Sequence, residues 1–396
     1  MSSPWSSSYS RRDWLRTVGA VGAATGLSRI APLEALAAQA APPDGKDARL
    51  IIRSARPPDY ETPVALLDTW ITPNDQFYVR SHLPTPPLAL VQDLSLQVDG
   101  LVGTPLTLTL EALQAMPRAT VTVSLECAGN GRAFFEPTMP GIQWERGAVG
   151  NARWTGARLA DILTKAGVRD TARNVAMHGG DRPLGTMPPF IRQVPMAKAM
   201  HPDTIIAYEM NGQPLPLVHG FPFRAIVPGW EGAYAVKWLS RIQVIDTDFD
   251  GFWVATAYRY PRRPVAPGAA VPPADMLPVQ GLVVKSILTR PLDGAIVAPG
   301  RVAVAGHAWA GERDIARVDI STDRGVTWQP ARLVGEQARY AWRRFEFDYE
   351  ATTPGSHVVL SRATDSEGEA QPMVPAWNPS GYLWNVADQV RFEVQA

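Results

Sequence analysis

The stretch SLECAGNGR, Ser124 to Arg132, holds Cys127, the sole cysteine among 396 residues. A lone thiol can close no internal disulfide and can build neither a C-x-x-C zinc site nor a C-x-x-C-H haem attachment. It is either an inert buried hydrophobe or a thiolate used to ligate a metal or attack a substrate. Arg132 lies five residues further on, past Gly129 and Gly131. Glycines permit the sharp turn that returns the guanidinium toward the sulfur, and a nearby cation favours the thiolate. A second set lies in QFYVRSH, where strand alternation puts Gln76, Tyr78, Arg80 and His82 on one face and Phe77, Val79 and Ser81 on the other. Arg and His two residues apart suit a compact oxyanion, because a guanidinium presents fixed donors. A solvated edge strand is the plain alternative. HGFPFR (His219 to Arg224) and AVKW (Ala235 to Trp238) place further cations in Gly- and Pro-rich turns. The sequence contains no G-x-x-x-x-G-K-[ST], no G-x-G-x-x-G opening a helix and no H-E-x-x-H.

The elements that position these residues are short. ATVTVSLEC alternates, with Val121, Val123, Leu125 and Cys127 on one face and Thr120, Thr122, Ser124 and Glu126 on the other, so the cysteine shares the core-facing parity. LTLEALQAMP reads as a helix capped by Thr109 and ended by Pro117. ARLADILTKAG puts Leu159, Ile162, Leu163 and Ala166 on one helical stripe, closed by Gly167. TIIAYEMNGQPLPLVHGFPFRAIVP predicts a strand, an Asn211-Gly212 turn and a second extended segment. Strands and short helices alternate irregularly, which predicts an α+β domain over residues 41–275. An extended Pro- and Ala-rich linker is expected from Tyr260 to Val279, and residues 276–396 predict an all-β, immunoglobulin-like sandwich.

The chain carries 38 Lys plus Arg against 38 Asp plus Glu, for a net charge of +0. That balance, with no long basic run after the N-terminal segment, disfavours nucleic acid and anionic membrane as partners. Residues 1–40 pair Arg11 with Arg12, continue into a mildly apolar Gly/Ala run and end in small-x-small sites. These features predict a twin-arginine signal peptide and a periplasmic product. No later segment has the length and apolarity of a membrane span.

FYVRSHLPTP, LECAGNGR, GAVGNARWTGARLADIL, AYEMNGQPLPLVHGFPFRAIVPGW, AVKWL and TWQPARL occur in this order. Together they resemble the sulfite oxidase family of mononuclear molybdenum enzymes, the nearest type being bacterial periplasmic sulfite dehydrogenase. The resemblance implies a molybdopterin-binding domain followed by a dimerisation sandwich. It implies that Cys127 ligates molybdenum, whose other sulfur ligands come from the pterin dithiolene. Arg80, His82, Arg132, Trp144 and Tyr258 match positions lining the anion pocket. Tyr78, Val79, Arg80, Ser81, His82, Asp181, His219, Arg224, Ala235, Val236 and Lys237 match cofactor-contacting positions. The implied reaction is oxidation of sulfite to sulfate, with electrons leaving to a c-type cytochrome, in a homodimer or in a heterodimer with a cytochrome subunit. The chain departs from the family at WNPSG, where Ser380 stands in place of a pocket arginine. No counterpart of the small haem domain of animal members is expected in this chain. Two other readings stay open: a sulfur dehydrogenase subunit acting on carrier-bound sulfur, and a non-catalytic binding or assembly protein of the same fold.

Overall fold

The computed structural model describes residues 45–395. The expected export signal, residues 1–40, lies outside them. The first half is built on two five-stranded sheets. One runs Gln213–Pro214, Ile205–Met210, Val149–Arg158, Arg118–Glu126, with Arg224–Ile226 pairing on Ile205–Met210 as well; every pairing in it is antiparallel. The other runs Leu106–Leu108, Leu96–Gly100, Leu239–Ile245, Asn174–Gly179, Ile191–Pro195, and only Leu96–Gly100 with Leu239–Ile245 is parallel. Helix Leu159–Ala166 buries Leu159, Ile162, Leu163 and Ala166, the stripe its spacing predicts, and stops at Gly167 with φ 69°. Helix Leu110–Gln114 starts where Thr109 accepts the Ala112 N–H through its hydroxyl (3.2 Å). Asn211 and Gly212 both take positive φ and close the hairpin, as the sequence predicts. Only two residues pair beyond that turn, and the chain then makes a 3-10 turn at Leu217–His219 before it extends again.

Two expectations are corrected. Residues 76–82 do not form a strand; the only backbone bridge there joins Tyr60 and Val79. Side chains take the carbonyls a neighbouring strand would have used: Thr62 donates to Gln76, Lys46 to Phe77 and Arg80 to Ser81. The linker is also not simply extended, since its ends pair as a ribbon, Arg259–Pro261 against Met276–Pro278.

Beyond the ribbon a four-stranded sheet (Lys285–Arg290, Gly300–Trp309, Arg343–Ala351, Arg332–Val334) faces a five-stranded one (Ala295–Val297, Asp388–Val394, Gly355–Asp365, Ile315–Ser321, Gln329–Pro330). Val304, Val318, Phe345, Val359, Val390 and Phe392 fill the core between them. This sandwich also covers the polar face of Arg118–Glu126. Ser124 donates its N–H to the Tyr340 carbonyl (2.9 Å) and accepts the Trp342 N–H at its hydroxyl (2.8 Å). Both faces of that strand are therefore buried near its C-terminal end, although it alternates like a half-exposed one. No helix among the described residues is long and apolar enough to cross a membrane.

Candidate active site

Cys127 leaves the strand Arg118–Glu126 into a turn that is fixed from several sides. Its N–H donates to the Ala148 carbonyl (2.9 Å), and Asn130 donates back to the Cys127 carbonyl (2.8 Å). The two glycines differ in use. Gly131 sits at φ 93° against the Trp384 ring, where a side chain would be strained and would clash. Gly129 is needed for space: a β-carbon there would lie 2.7 Å from the guanidinium carbon of Arg132. The arginine thus folds back over its own turn, donates to the Ile142 carbonyl (3.0 Å) and stacks over Tyr382.

Immediately before the cysteine, the buried Glu126 carboxylate accepts from Lys285 Nζ (2.7 Å), Trp309 Nε1 (2.8 Å) and Asn130 Nδ2 (2.9 Å). Lys285 and Trp309 belong to the sandwich, so the second half of the chain helps to hold the cysteine turn. The sequence expectation that Arg132 would favour the thiolate is only part of the balance. Burial pushes the Cys127 thiol up, and the charges of Arg80 and Arg132 offset that incompletely. The free sulfur keeps its proton, which a coordinating metal would displace.

Cys127 opens into a cavity of about 670 Å³ of empty space, counted out to its mouth. Tyr78, Arg80, Ser81, His82, Asp181, His219, Arg224, Ala235, Lys237 and Tyr258 all line it. Phe190, which sequence reading missed, does so too. Other predicted site residues lie elsewhere. Trp144 is fully buried, edge-on to Tyr78 at 6.4 Å. Val79 packs with Leu50, Tyr60 and Val218. Val236 is buried and contributes its carbonyl to Ala225 (2.9 Å). Arg132 is absent from the lining and reaches the sulfur by its charge. Ser380 donates to the Arg259 carbonyl (2.8 Å).

The cavity wall carries more positive charge than its own carboxylates balance. Arg80 pairs with Asp59 (3.0 Å). Lys237 donates to Ser81 Oγ (2.8 Å) and to the Val218 carbonyl (2.9 Å), and burial with Arg224 nearby pushes its pKa down. Burial takes Arg224 to about 10, and its Nε is buried without a hydrogen-bond partner. His219 is held neutral by burial and by Lys46, Arg224 and Lys237. Lys46, another residue not foreseen from the sequence, is itself pushed down to about 7 by burial. Cations held below their ordinary values chiefly by burial, with an orphaned guanidinium N–H among them, fit an anionic ligand. Among the described residues no group of three or more His, Cys, Asp or Glu could hold a metal ion, so a metal bound at Cys127 needs ligands from outside the protein. The residues present therefore fit an anionic cofactor that brings metal ligands of its own, as the resemblance to the molybdenum enzymes implies.

Tyr258 completes the site. It follows the one-turn helix Phe252–Ala255, takes φ 54° and places its hydroxyl 2.6 Å from His82 Nε2. Its ring stacks on Tyr382 at 5.4 Å with planes 2° apart. Burial and the cations Arg80, Arg192, Lys237 and Arg132 push His82 well below its ordinary value, so the imidazole is neutral. Burial pushes Tyr258 well up, and its hydroxyl keeps its proton.

Comparison with known proteins identifies both domains. Residues 82–253 match the oxidoreductase molybdopterin binding domain, and residues 277–395 match the Mo-co oxidoreductase dimerisation domain. The chain is 39% identical to mouse mitochondrial sulfite oxidase over 87% of its own length and 66% of that protein's, just under two thirds of it. It is 34% identical to Arabidopsis thaliana sulfite oxidase, over 81% of this chain and 87% of the relative. The crystal structure of the sulfane dehydrogenase SoxCD from Paracoccus pantotrophus superposes with a TM-score of 0.75 at 26% identity, covering 100% of this chain and 97% of that one. With the thiol, the cation-rich cavity and both matched domains in place, this chain belongs to the sulfite oxidase family of molybdenum oxidoreductases.

Proposed function

We propose that the protein is a periplasmic sulfite dehydrogenase that oxidises sulfite to sulfate and passes the electrons to a c-type cytochrome. The observation that carries this reading is the sole cysteine opening into a cavity lined by Arg80, within reach of the charges of Arg80 and Arg132. The molybdenum cofactor, when bound, supplies the oxygen-transfer and two-electron chemistry. Cys127 would hold its metal, while His219, Arg224, Lys237 and Ser81 would hold its anionic part.

Overall, sulfite and water give sulfate, two protons and two electrons. Arg80 orients the dianion with a charge-assisted hydrogen bond, a contact worth roughly 1.5–3 kcal/mol. Arg132, folded back over the cysteine turn, adds attraction through its charge. Tyr258 Oη and His82 Nε2 share a short hydrogen bond that would orient the reacting water and relay its proton onward, the neutral imidazole passing the proton on and not storing it. The Arg11-Arg12 segment supports export, and the matched dimerisation domain supports assembly through the sandwich, either as a homodimer or with a cytochrome subunit.

The likeness to SoxCD along nearly all of that chain favours a second reading, oxidation of sulfane sulfur held on a carrier protein. Steady-state assays separate the two. Reduction of ferricytochrome c by free sulfite is the expected result. Turnover only with sulfur presented on a carrier would replace the first reading with the second.

A further inference from the structure

One buried arginine has no part in the scheme above. Arg192, on the strand Ile191–Pro195, is 2% exposed. Its guanidinium carbon lies 4.2 Å from the centroid of the Tyr234 ring and 4.7 Å from that of Tyr258. Nη1 donates to the Trp253 carbonyl, and Nη2 stands 3.7 Å from Glu231 Oε1. Glu231 in turn caps the 3-10 turn that carries Tyr234, accepting the Ala233 N–H (2.8 Å). One side chain thus joins three segments that reach the cavity wall: Phe190 beside its own strand, Ala233 in the capped turn, and Tyr258 beyond Trp253. Tyr258 is held in the left-handed region, a conformation a bulky residue keeps only when its surroundings enforce it. Tyr382 covers one partner position of its ring and Arg192 another.

We propose that Arg192 is a positioning residue for the anion site: clamped between Tyr234 and Tyr258 and anchored by Glu231 and the Trp253 carbonyl, it fixes the Tyr258 ring so that the hydroxyl meets His82 Nε2. A burial-driven ion pair would need only Glu231. The two tyrosine stacks and the Trp253 contact instead direct the guanidinium at the segment that presents Tyr258. Arg192 also places a positive charge near His82, with Arg80, Lys237 and Arg132 as the other cations acting on that ring. Phe190 and Trp253 face it as uncharged rings.

The proposal rests on the sulfite-oxidising reading only for its kinetic arm. The structural arm uses cofactor-loaded protein with selectively ¹³C-labelled histidine and follows His82 against pH. The double variant Arg192→Met/Glu231→Gln removes both buried charges together and keeps an acceptor for the Ala233 N–H, while the Trp253 carbonyl loses the arginine donor. In it, His82 should titrate at higher pH than in the parent protein, because a cation that opposes its protonation is gone. With sulfite, kcat should fall on the order of tenfold. Arg192→Lys keeps the charge but loses the planar stack, so it should lower kcat while leaving the His82 titration near that of the parent. An unchanged His82 titration in the double variant overturns the proposal, and so does a parent-like kcat alongside a lowered melting temperature. Should the double variant fail to fold, Arg192→Lys decides, a parent-like kcat counting against the proposal. Parent protein with no sulfite activity, combined with a shifted His82 titration in the double variant, would remove the sulfite reading and leave Arg192 in its role.

Discussion

Replacing Lys285 by Met should destabilise the protein by about 3 kcal/mol, the low end of the roughly 3–5 kcal/mol for breaking a buried ion pair from one side. Lys285 and Glu126 side chains are 8% and 6% exposed and 2.7 Å apart, so solvent screens the pair little. The variant leaves the Glu126 carboxylate buried with two donors, Trp309 Nε1 and Asn130 Nδ2, which temper the loss. Asn130 also loses the lysine contact at its carbonyl (3.1 Å), so the cysteine turn loosens with the pair. The double variant Glu126→Gln/Lys285→Met removes both charges and should recover about 2 kcal/mol of that cost, the coupling a double-mutant cycle reports. The assay is equilibrium urea unfolding of cofactor-loaded protein, with molybdenum content measured on the same preparations. Molybdenum per chain should fall in Lys285→Met and partly return in the double variant. A loss below about 1 kcal/mol in Lys285→Met, with no recovery in the double variant, would show that the sandwich does not brace the cysteine turn through this pair.

Gly129→Ala should fold, because the added carbon meets the flexible end of Arg132, but the displaced guanidinium should raise the KM for sulfite on the order of tenfold; an unchanged KM would remove Arg132 from anion binding. Gly131→Ala meets Trp384 at φ 93° and should instead cost stability, more than about 1 kcal/mol in the same urea assay. The pKa of Lys46 falls from 10.5 unfolded to about 7 folded, so between those values the unfolded chain binds more protons and stability rises with pH. The cofactor-free protein should therefore gain stability from about pH 7 upward, and Lys46→Met should flatten that slope, as read from melting temperatures across the range. A slope unchanged in Lys46→Met would place the titrating group elsewhere.

Where a signal was local, the sequence carried it. Cys127 shows its inward parity within one strand, and Gly129 and Gly131 announce the turn that folds Arg132 back. The Leu159–Ala166 stripe and the Asn211-Gly212 turn are likewise contained in a few residues. The resemblance brought His219, Arg224 and Lys237 into view because they sit in ordered motifs, and Tyr258 through its place five residues after Trp253. What escaped depends on contacts between distant segments. Glu126 alternates like a surface residue and is buried only because Lys285 and Trp309 arrive from the sandwich. Arg192 reads as an ordinary strand cation until Tyr234 and Tyr258 close around it. Lys46 reads as part of a polar entry segment, yet its ammonium lies 3.0 Å from His219 Nε2. Residues 76–82 look like a strand by alternation, but side chains from elsewhere take their carbonyls, and alternation alone cannot reveal that.

The measurement closest to the central claim is molybdenum per chain, determined on protein produced from the full 396-residue chain, for the parent and for Cys127→Ser, together with sulfite-dependent reduction of ferricytochrome c. One molybdenum per chain and turnover in the parent, with turnover lost in Cys127→Ser, is the expected result. Full sulfite-dependent reduction by Cys127→Ser, or a parent protein without molybdenum, would contradict the assignment of Cys127 as the metal ligand.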